Sequence, residues 1–177
     1  MSEFHPLDAQ SPYAASKVAG DRLCYAYWKT YGMDVRILRS FNTAGPYQAD
    51  DSYGAVIAIF INKALNNEVL EIYGTGLQER DYMAVSGAVG AYKAIAERGC
   101  AGFIVNAGSG IPVSIIDIAE KVIKHTQSKS KIKNIKPRPG EVVRLCCNNS
   151  KILSLGWKPT KNIDQIIKEM IKHKKEG

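Results

Sequence analysis

The pattern of the sequence predicts an α/β fold, and three observations carry that expectation. A capped helix beginning near Ser11 runs into a short apolar strand, which is one half of a β–α–β unit. Helical apolar stripes and short apolar runs then alternate to about residue 136. The composition, 45% hydrophobic and 23% charged over 177 residues, allows a buried core of ordinary size.

The first ten residues are turn-like. Ser11-Pro12 opens the first helix, with Ser11 as N-cap and Pro12 at the first helical position. Val18, Leu23 and Trp28 follow at helical spacing, and Gly32 ends the helix. Residues 34–39, with Val35, Ile37 and Leu38, read as a short buried strand. The strand that should precede the helix in such a unit is not found in the chain, a first expectation of truncation. Residues 41–47 read as a loop. Residues 54–66 form a helix with Ile57, Phe60, Ile61 and Ala64 on one stripe.

Leu70–Tyr73 is a strand that ends at the turn Gly74-Thr75-Gly76. Val85–Arg98 reads as an alanine-rich helix closed by Gly99, residues 102–106 as a strand, and residues 107–110 as a tight loop. Ser114 and Asp117 cap a helix over 115–125. A strand near 133–136, the loop Arg138-Pro139-Gly140-Glu141 and a helix over 163–173 complete the chain. No internal repeat or low-complexity segment interrupts it.

The formal net charge of +7 suits an anionic partner, either a phosphate-bearing small molecule or nucleic acid. The lysines gather at 121–136 and 168–175. These clusters lack the interleaved aromatics of nucleic-acid-binding domains, so they read as solvated faces and nucleic acid is an unfavoured partner. Four cysteines, at 24, 100, 146 and 147, show no C-x-x-C and no zinc spacing, so no metal site is expected. With no signal peptide and no apolar run near twenty residues, the expectation is a soluble protein of the reducing cytoplasm, without a membrane partner.

Tyr13 and Lys17 stand four residues apart at the start of a helix and so project to one side. A phenol titrates near ~10 and is a poor base at neutral pH, and a lysine charge beside it favours the phenolate. That pairing suits Tyr13 to take up or return a hydroxyl proton. Further motifs follow in order: Arg39-Ser40-Phe41-Asn42-Thr43-Ala44-Gly45-Pro46, Ile72-Tyr73-Gly74-Thr75-Gly76, Gln78-Glu79-Arg80-Asp81-Tyr82, Asn106-Ala107-Gly108-Ser109-Gly110, Arg138-Pro139-Gly140-Glu141 and Leu155-Gly156-Trp157-Lys158-Pro159.

Together with Ser11-Pro12-Tyr13-Ala14-Ala15-Ser16-Lys17, this succession resembles the extended short-chain dehydrogenase/reductase family, specifically its NAD-dependent nucleotide-sugar 4-epimerases and 4,6-dehydratases. The resemblance covers essentially the whole chain. It implies that Tyr13 is the catalytic acid or base at the sugar 4-hydroxyl and that Lys17 binds the nicotinamide ribose. Ser40 and Phe41 would lie beside the nicotinamide, and Asn42 would hydrogen-bond the sugar or diphosphate. Arg80 and Arg138 would clamp the diphosphate, a task suited to the guanidinium fork. Leu70, Ile72 and Tyr73 would line the nucleotide-base pocket. Bland readings compete: Asn42 as a turn cap, Arg80-Asp81 as a structural pair, Arg138 as solvated charge, and 106–110 as a packing loop.

Two local departures stand out. Val113 occupies the place of a third glycine in G-x-G-x-x-G, and Gly87 occupies a place where the family usually has aspartate. A larger one is that no G-x-x-G-x-x-G phosphate loop occurs in these residues. The resemblance therefore implies the C-terminal part of such an enzyme, inactive alone and missing its N-terminal NAD-binding half. Residues 1–45 with 85–108 would be the last pieces of a Rossmann-type domain, and residues 46–84 and 109–177 a small mixed α/β substrate lobe. Exposed sheet faces would drive association, with a second copy or with the missing half. A non-catalytic nucleotide-sugar-binding module is the competing function.

Overall fold

Local chemistry suffices to start the first helix. In the computed structural model, which describes residues 1–50, 55–138 and 140–176, α1 (Pro12–Tyr31) begins where Ser11 Oγ accepts the Ala14 amide at 3.1 Å. It ends at Gly32, whose φ of +65° is open to a residue without a Cβ and whose N–H reaches the Trp28 carbonyl. Gly54, expected to open the second helix, and Pro139 of the Arg-Pro-Gly-Glu loop lie outside the described residues.

The elements that follow are β1 (Ile37–Ser40), β2 (Asn42–Ala44), α2 (Val56–Leu65), β3 (Leu70–Tyr73), β4 (Glu79–Ala84), α3 (Val85–Arg98) and β5 (Ile104–Ala107). Then come β6 (Pro112–Ser114), α4 (Ile115–Thr126), β7 (Ile132–Ile135), β8 (Arg144–Leu145), α5 (Ser150–Leu153) and α6 (Ile163–Glu176). Parallel pairing dominates: β1 with β5 (Leu38 opposite Val105), β2 with β4 (Asn42 opposite Tyr82), β3 with β7 (Leu70 opposite Ile132) and β8 with β4. Among the described residues only β6 runs antiparallel, with Val113 opposite Arg80 of β4.

Several expectations need correction. The first strand begins three residues later than expected, at Ile37 rather than 34, because the ladder to β5 starts with the Ile37 amide bonding Phe103 O. The strand expected from 102 begins at Ile104. Gly102 is instead a left-handed turn (φ +75°) pressed so close to the Trp28 indole that any Cβ would run into it. The segment read as the loop 41–47 contains β2. Strands β4, β6 and β8 and the short α5 were not anticipated. The β4 sequence, Glu-Arg-Asp-Tyr-Met-Ala, hides its period because a buried aspartate takes an inward place.

Apolar burial falls into two clusters. One joins α2, α4 and α6 to β3 and β4, with Ile57, Leu70, Ile118, Val122, Ile166 and Ile167 fully enclosed. The other joins α3 to β5, α5 and Trp157, with Val105 and Ile152 at its centre. Each fully buried aliphatic side chain contributes about 1.5–3 kcal/mol over leaving it in water. Gly87 faces Met83, and its carbonyl accepts the Trp157 indole Nε1 at 2.9 Å, while Gly90 lies against the indole itself.

Candidate active site

The face of β4 is where side chains converge. Alternation along the strand sends Arg80 and Tyr82 to one face and Asp81 to the other. Asn42 lies opposite Tyr82 in the neighbouring strand, and its Nδ2 donates to the Asp81 carbonyl at 3.1 Å. That bond ties Asn42 to β4 instead of to the Gly45-Pro46 turn. In front of this face lies a cleft of about 800 Å³, lined also by Gln48, Ile72, Tyr73, Gln78, Arg138 and Glu141. Its size is that of a small-molecule site.

Two guanidinium groups reach this cleft. Arg80 Nη1 donates to its neighbour's carbonyl, Glu79 O, at 2.8 Å, and Nη2 stands 3.7 Å from Glu141 Oε1. The same carboxylate oxygen accepts from Gln78 Nε2 at 3.2 Å. Arg138 stacks over the Tyr73 ring, its guanidinium carbon 3.9 Å from the centroid. A loose ion pair on Arg80 and a stacked Arg138 leave several N–H donors to face the cleft, an arrangement suited to an anion with several acceptor oxygens.

Asp81 has a different part. It is fully buried, and its carboxylate accepts from the Ser109 amide (2.8 Å), the Ser109 hydroxyl (2.6 Å), the Gly110 amide (2.9 Å) and the Cys147 amide (3.0 Å). Arg80 and Asp81 are therefore not a pair. The loop 106–110 packs as a support: a Cβ on Gly108 would lie 2.6 Å from Cys147 Cβ and 2.8 Å from Asp81 Oδ2. Burial, reinforced by the Asp81 carboxylate, pushes the Cys147 thiol up to about 12, so it stays protonated and unreactive.

The remaining residues singled out from sequence lie elsewhere. Tyr13 and Lys17 occupy the first turns of α1, largely exposed, with Lys17 Nζ 5.4 Å from the Tyr13 ring centroid. Ser40 ends β1; its Oγ stands 3.0 Å from Thr43 Oγ1, and the Phe41 amide donates to Ala107 O. Ser40 and Phe41 thus sit at the C-terminal ends of the parallel pair β1–β5. An ion pair between Arg39 Nε and Asp21 Oδ2 at 2.7 Å holds α1 against β1. Leu70 is fully buried in the core shared with α2, α4 and α6, away from the cleft that Ile72 and Tyr73 line. Sequence reasoning assigned no part to Gln48, Tyr82 or Glu141. Tyr82 could have been found from strand alternation, two residues beyond Arg80.

A family model described as GDP-mannose 4,6 dehydratase matches residues 1–170. The chain belongs to this family of NAD-dependent epimerases and dehydratases, within the extended short-chain dehydrogenases/reductases. It is 33% identical to dTDP-D-glucose 4,6-dehydratase of Bos taurus, over all of this chain and 51% of that protein. A putative UDP-glucose 4-epimerase of Methanocaldococcus jannaschii is 34% identical over 97% of this chain and 55% of its own length. The structure of dTDP-glucose 4,6-dehydratase from Bacillus anthracis in complex with NAD superimposes with a TM-score of 0.92 at 26% identity, covering this whole chain and 56% of that one. The mixed α/β fold with parallel sheets is that of these Rossmann-like relatives. The epimerase/dehydratase chain spans about half the length of the curated relatives it matches.

Proposed function

We propose that these residues are the substrate-binding part of an NAD-dependent nucleotide-sugar 4-epimerase or 4,6-dehydratase. The observation that carries the reading is one cleft that gathers Arg80 and Arg138 with Asn42 and the aromatic ring of Tyr73. The guanidinium groups bind the diphosphate. Ile72 and Tyr73 flank the base, and Asn42 holds the sugar or its phosphate.

Tyr13, Lys17, Ser40 and Phe41, outside that cleft, suit the ribose and nicotinamide side of NAD. Among the described residues, neither the Tyr13 hydroxyl nor the Lys17 ammonium has a hydrogen-bond or ion-pair partner, so both can meet ribose hydroxyls. Ser40 and Phe41 stand where ligands meet open parallel sheets, beyond the carboxyl ends of the strands. NAD, when bound, would accept the hydride from sugar C4. Tyr13 takes the proton of the 4-hydroxyl and later returns it. Inversion at C4 and loss of water across C5–C6 both begin from that oxidation.

Within these 177 residues there is no glycine loop to hold the cofactor's pyrophosphate, so the chain by itself is expected to be inactive. Leu23, Tyr27 and Tyr31 on α1 remain exposed and provide a face for association with a second copy or with a cofactor-binding half. No helix among the described residues is long and apolar enough to cross a membrane. The cysteines are unpaired, in keeping with a reducing cytoplasm.

Calorimetric titration with UDP-glucose and dTDP-glucose tests the reading. One of them is expected to bind, and Arg80→Ala is expected to weaken it by about tenfold or more, the loss of a charge-assisted contact. Failure of every nucleotide sugar to bind would overturn the proposal. Binding without turnover when NAD is added is the expected result. Turnover by the chain alone would refute its inactivity while leaving the reaction class intact.

A further inference from the structure

We infer that Gln48 and Tyr82 read the hydroxyl groups of the bound sugar, Gln48 as acceptor and Tyr82 as donor, and so contribute to sugar selectivity. The inference rests on the nucleotide-sugar reading of the cleft. It starts from two polar groups that the diphosphate contacts leave unused.

Tyr82 is only 7% exposed, and its hydroxyl, which is not sealed from solvent, has no hydrogen-bond partner among the described residues, so a ligand can meet it. Strand alternation puts Tyr82 on the Arg80 face of β4, opposite Asn42, and all three line the cleft. Burial pushes the phenol up to about 12, against a smaller opposing pull from Arg80. It is therefore protonated at neutral pH and can donate.

Gln48 carries the complementary deficit. Its Nε2 donates to Thr43 O at 3.1 Å, which fixes the amide plane. Its Oε1 is buried and has no partner among the described residues. An orphaned buried acceptor costs about 1–3 kcal/mol, and a native fold that keeps one calls for an explanation. Gln48 lines the same cleft as Tyr82.

The chemistry of the two groups narrows the ligand. A phosphate oxygen accepts from Tyr82 but has no proton for Gln48 Oε1. A sugar hydroxyl both donates and accepts, so a polyol satisfies the two together. Neither residue could be recognised by charge or motif alone, since each is neutral and its significance lies in an unmet bond.

The test compares binding of UDP-glucose with UDP, and of dTDP-glucose with dTDP, for the intact chain and for Tyr82→Phe and Gln48→Met. Tyr82→Phe keeps the ring and removes only the hydroxyl; Gln48→Met keeps the length of the side chain. Thermal melts of both accompany the titrations. The expected result is that wild type prefers the nucleotide sugar over the bare diphosphate. Each variant then loses about fivefold in affinity for the sugar-bearing ligand and keeps its affinity for the diphosphate. Unchanged affinity for the nucleotide sugar in both variants overturns the inference and leaves the nucleotide-sugar reading standing. Equal losses for sugar-bearing and bare ligands also overturn it, because the pair would then be reading the nucleotide. If wild type binds none of the four ligands, the nucleotide-sugar reading falls and this inference with it.

Discussion

Helices α4 and α1 begin with the same device, a serine N-cap accepting a backbone amide three residues on, and they end in opposite surroundings. α4 has Ile115, Ile118, Ala119 and Val122 buried against α2 and α6. α1 is longer, at 20 residues, and has no buried residue at all. It is held to β1 by the Asp21–Arg39 ion pair and to the turn before β5 by Trp28 lying over Gly102. The contrast separates two contributions to a helix. Capping and end-residue chemistry decide where it starts and stops; burial decides how much it adds to stability. The cluster of α2, α4 and α6 closes its own core, whereas α1 leaves Leu23, Tyr27 and Tyr31 exposed.

Asp81 joins the two regions, because its strand β4 packs into the α2–α4–α6 cluster while the loop it grips follows β5. Asp81→Ala would leave the buried Cys147 amide and the part-buried Ser109 and Gly110 amides without their acceptor and is expected to cost on the order of 4 kcal/mol in urea denaturation. A cost below about 1 kcal/mol would mean that water replaces the carboxylate and that the junction is looser than its bonds imply.

A matched pair of truncations probes the contrast directly. Ile118→Ala in the enclosed face of α4 is expected to cost about 3 kcal/mol. Leu23→Ala on α1, where the side chain is 60% exposed, should change stability by no more than about 0.5 kcal/mol. Similar costs for both would show that the α1 face is covered in solution, and a sedimentation experiment would then reveal the association.

The smallest expected effect concerns how α4 is clasped to α6. Lys121 Nζ and His125 Nε2 both stand 2.7 Å from the Asp164 carboxylate, and these hydrogen bonds hold Asp164 below the ordinary carboxylate range. A carboxyl depressed in the folded state stabilises it above the unfolded value of ~3.9, and that contribution disappears as the pH falls through the folded value. Asp164→Asn should therefore be less stable than wild type at pH 7. The difference should be only about 0.5 kcal/mol, since solvent screens a pair this exposed. In thermal melts the gap should close below about pH 4. A gap that persists there would assign the effect to packing.

Much of the architecture could be read from neighbouring residues. Ser11-Pro12 and Gly32 delimit α1, Ser114 caps α4, and the alternating burial of Leu70–Tyr73 matches its expected strand. The arginines and Asn42 that now line one cleft were nominated by motifs, since guanidinium and amide chemistry is visible in residue type. Other features depended on partners far along the chain. Asp81 reads as a structural partner of Arg80 until Ser109, 28 residues on, and Cys147, 66 residues on, supply the amides that allow its burial. β4 was missed for that reason, because apolar periodicity cannot register a charge neutralised from a distance. The unmet bonds of Gln48 and Tyr82 were equally invisible, since burial and the lack of a partner are properties of the assembled cleft. Helix ends follow from chemistry within a few residues. The worth of a buried polar group follows from contacts that only folding brings within hydrogen-bond reach.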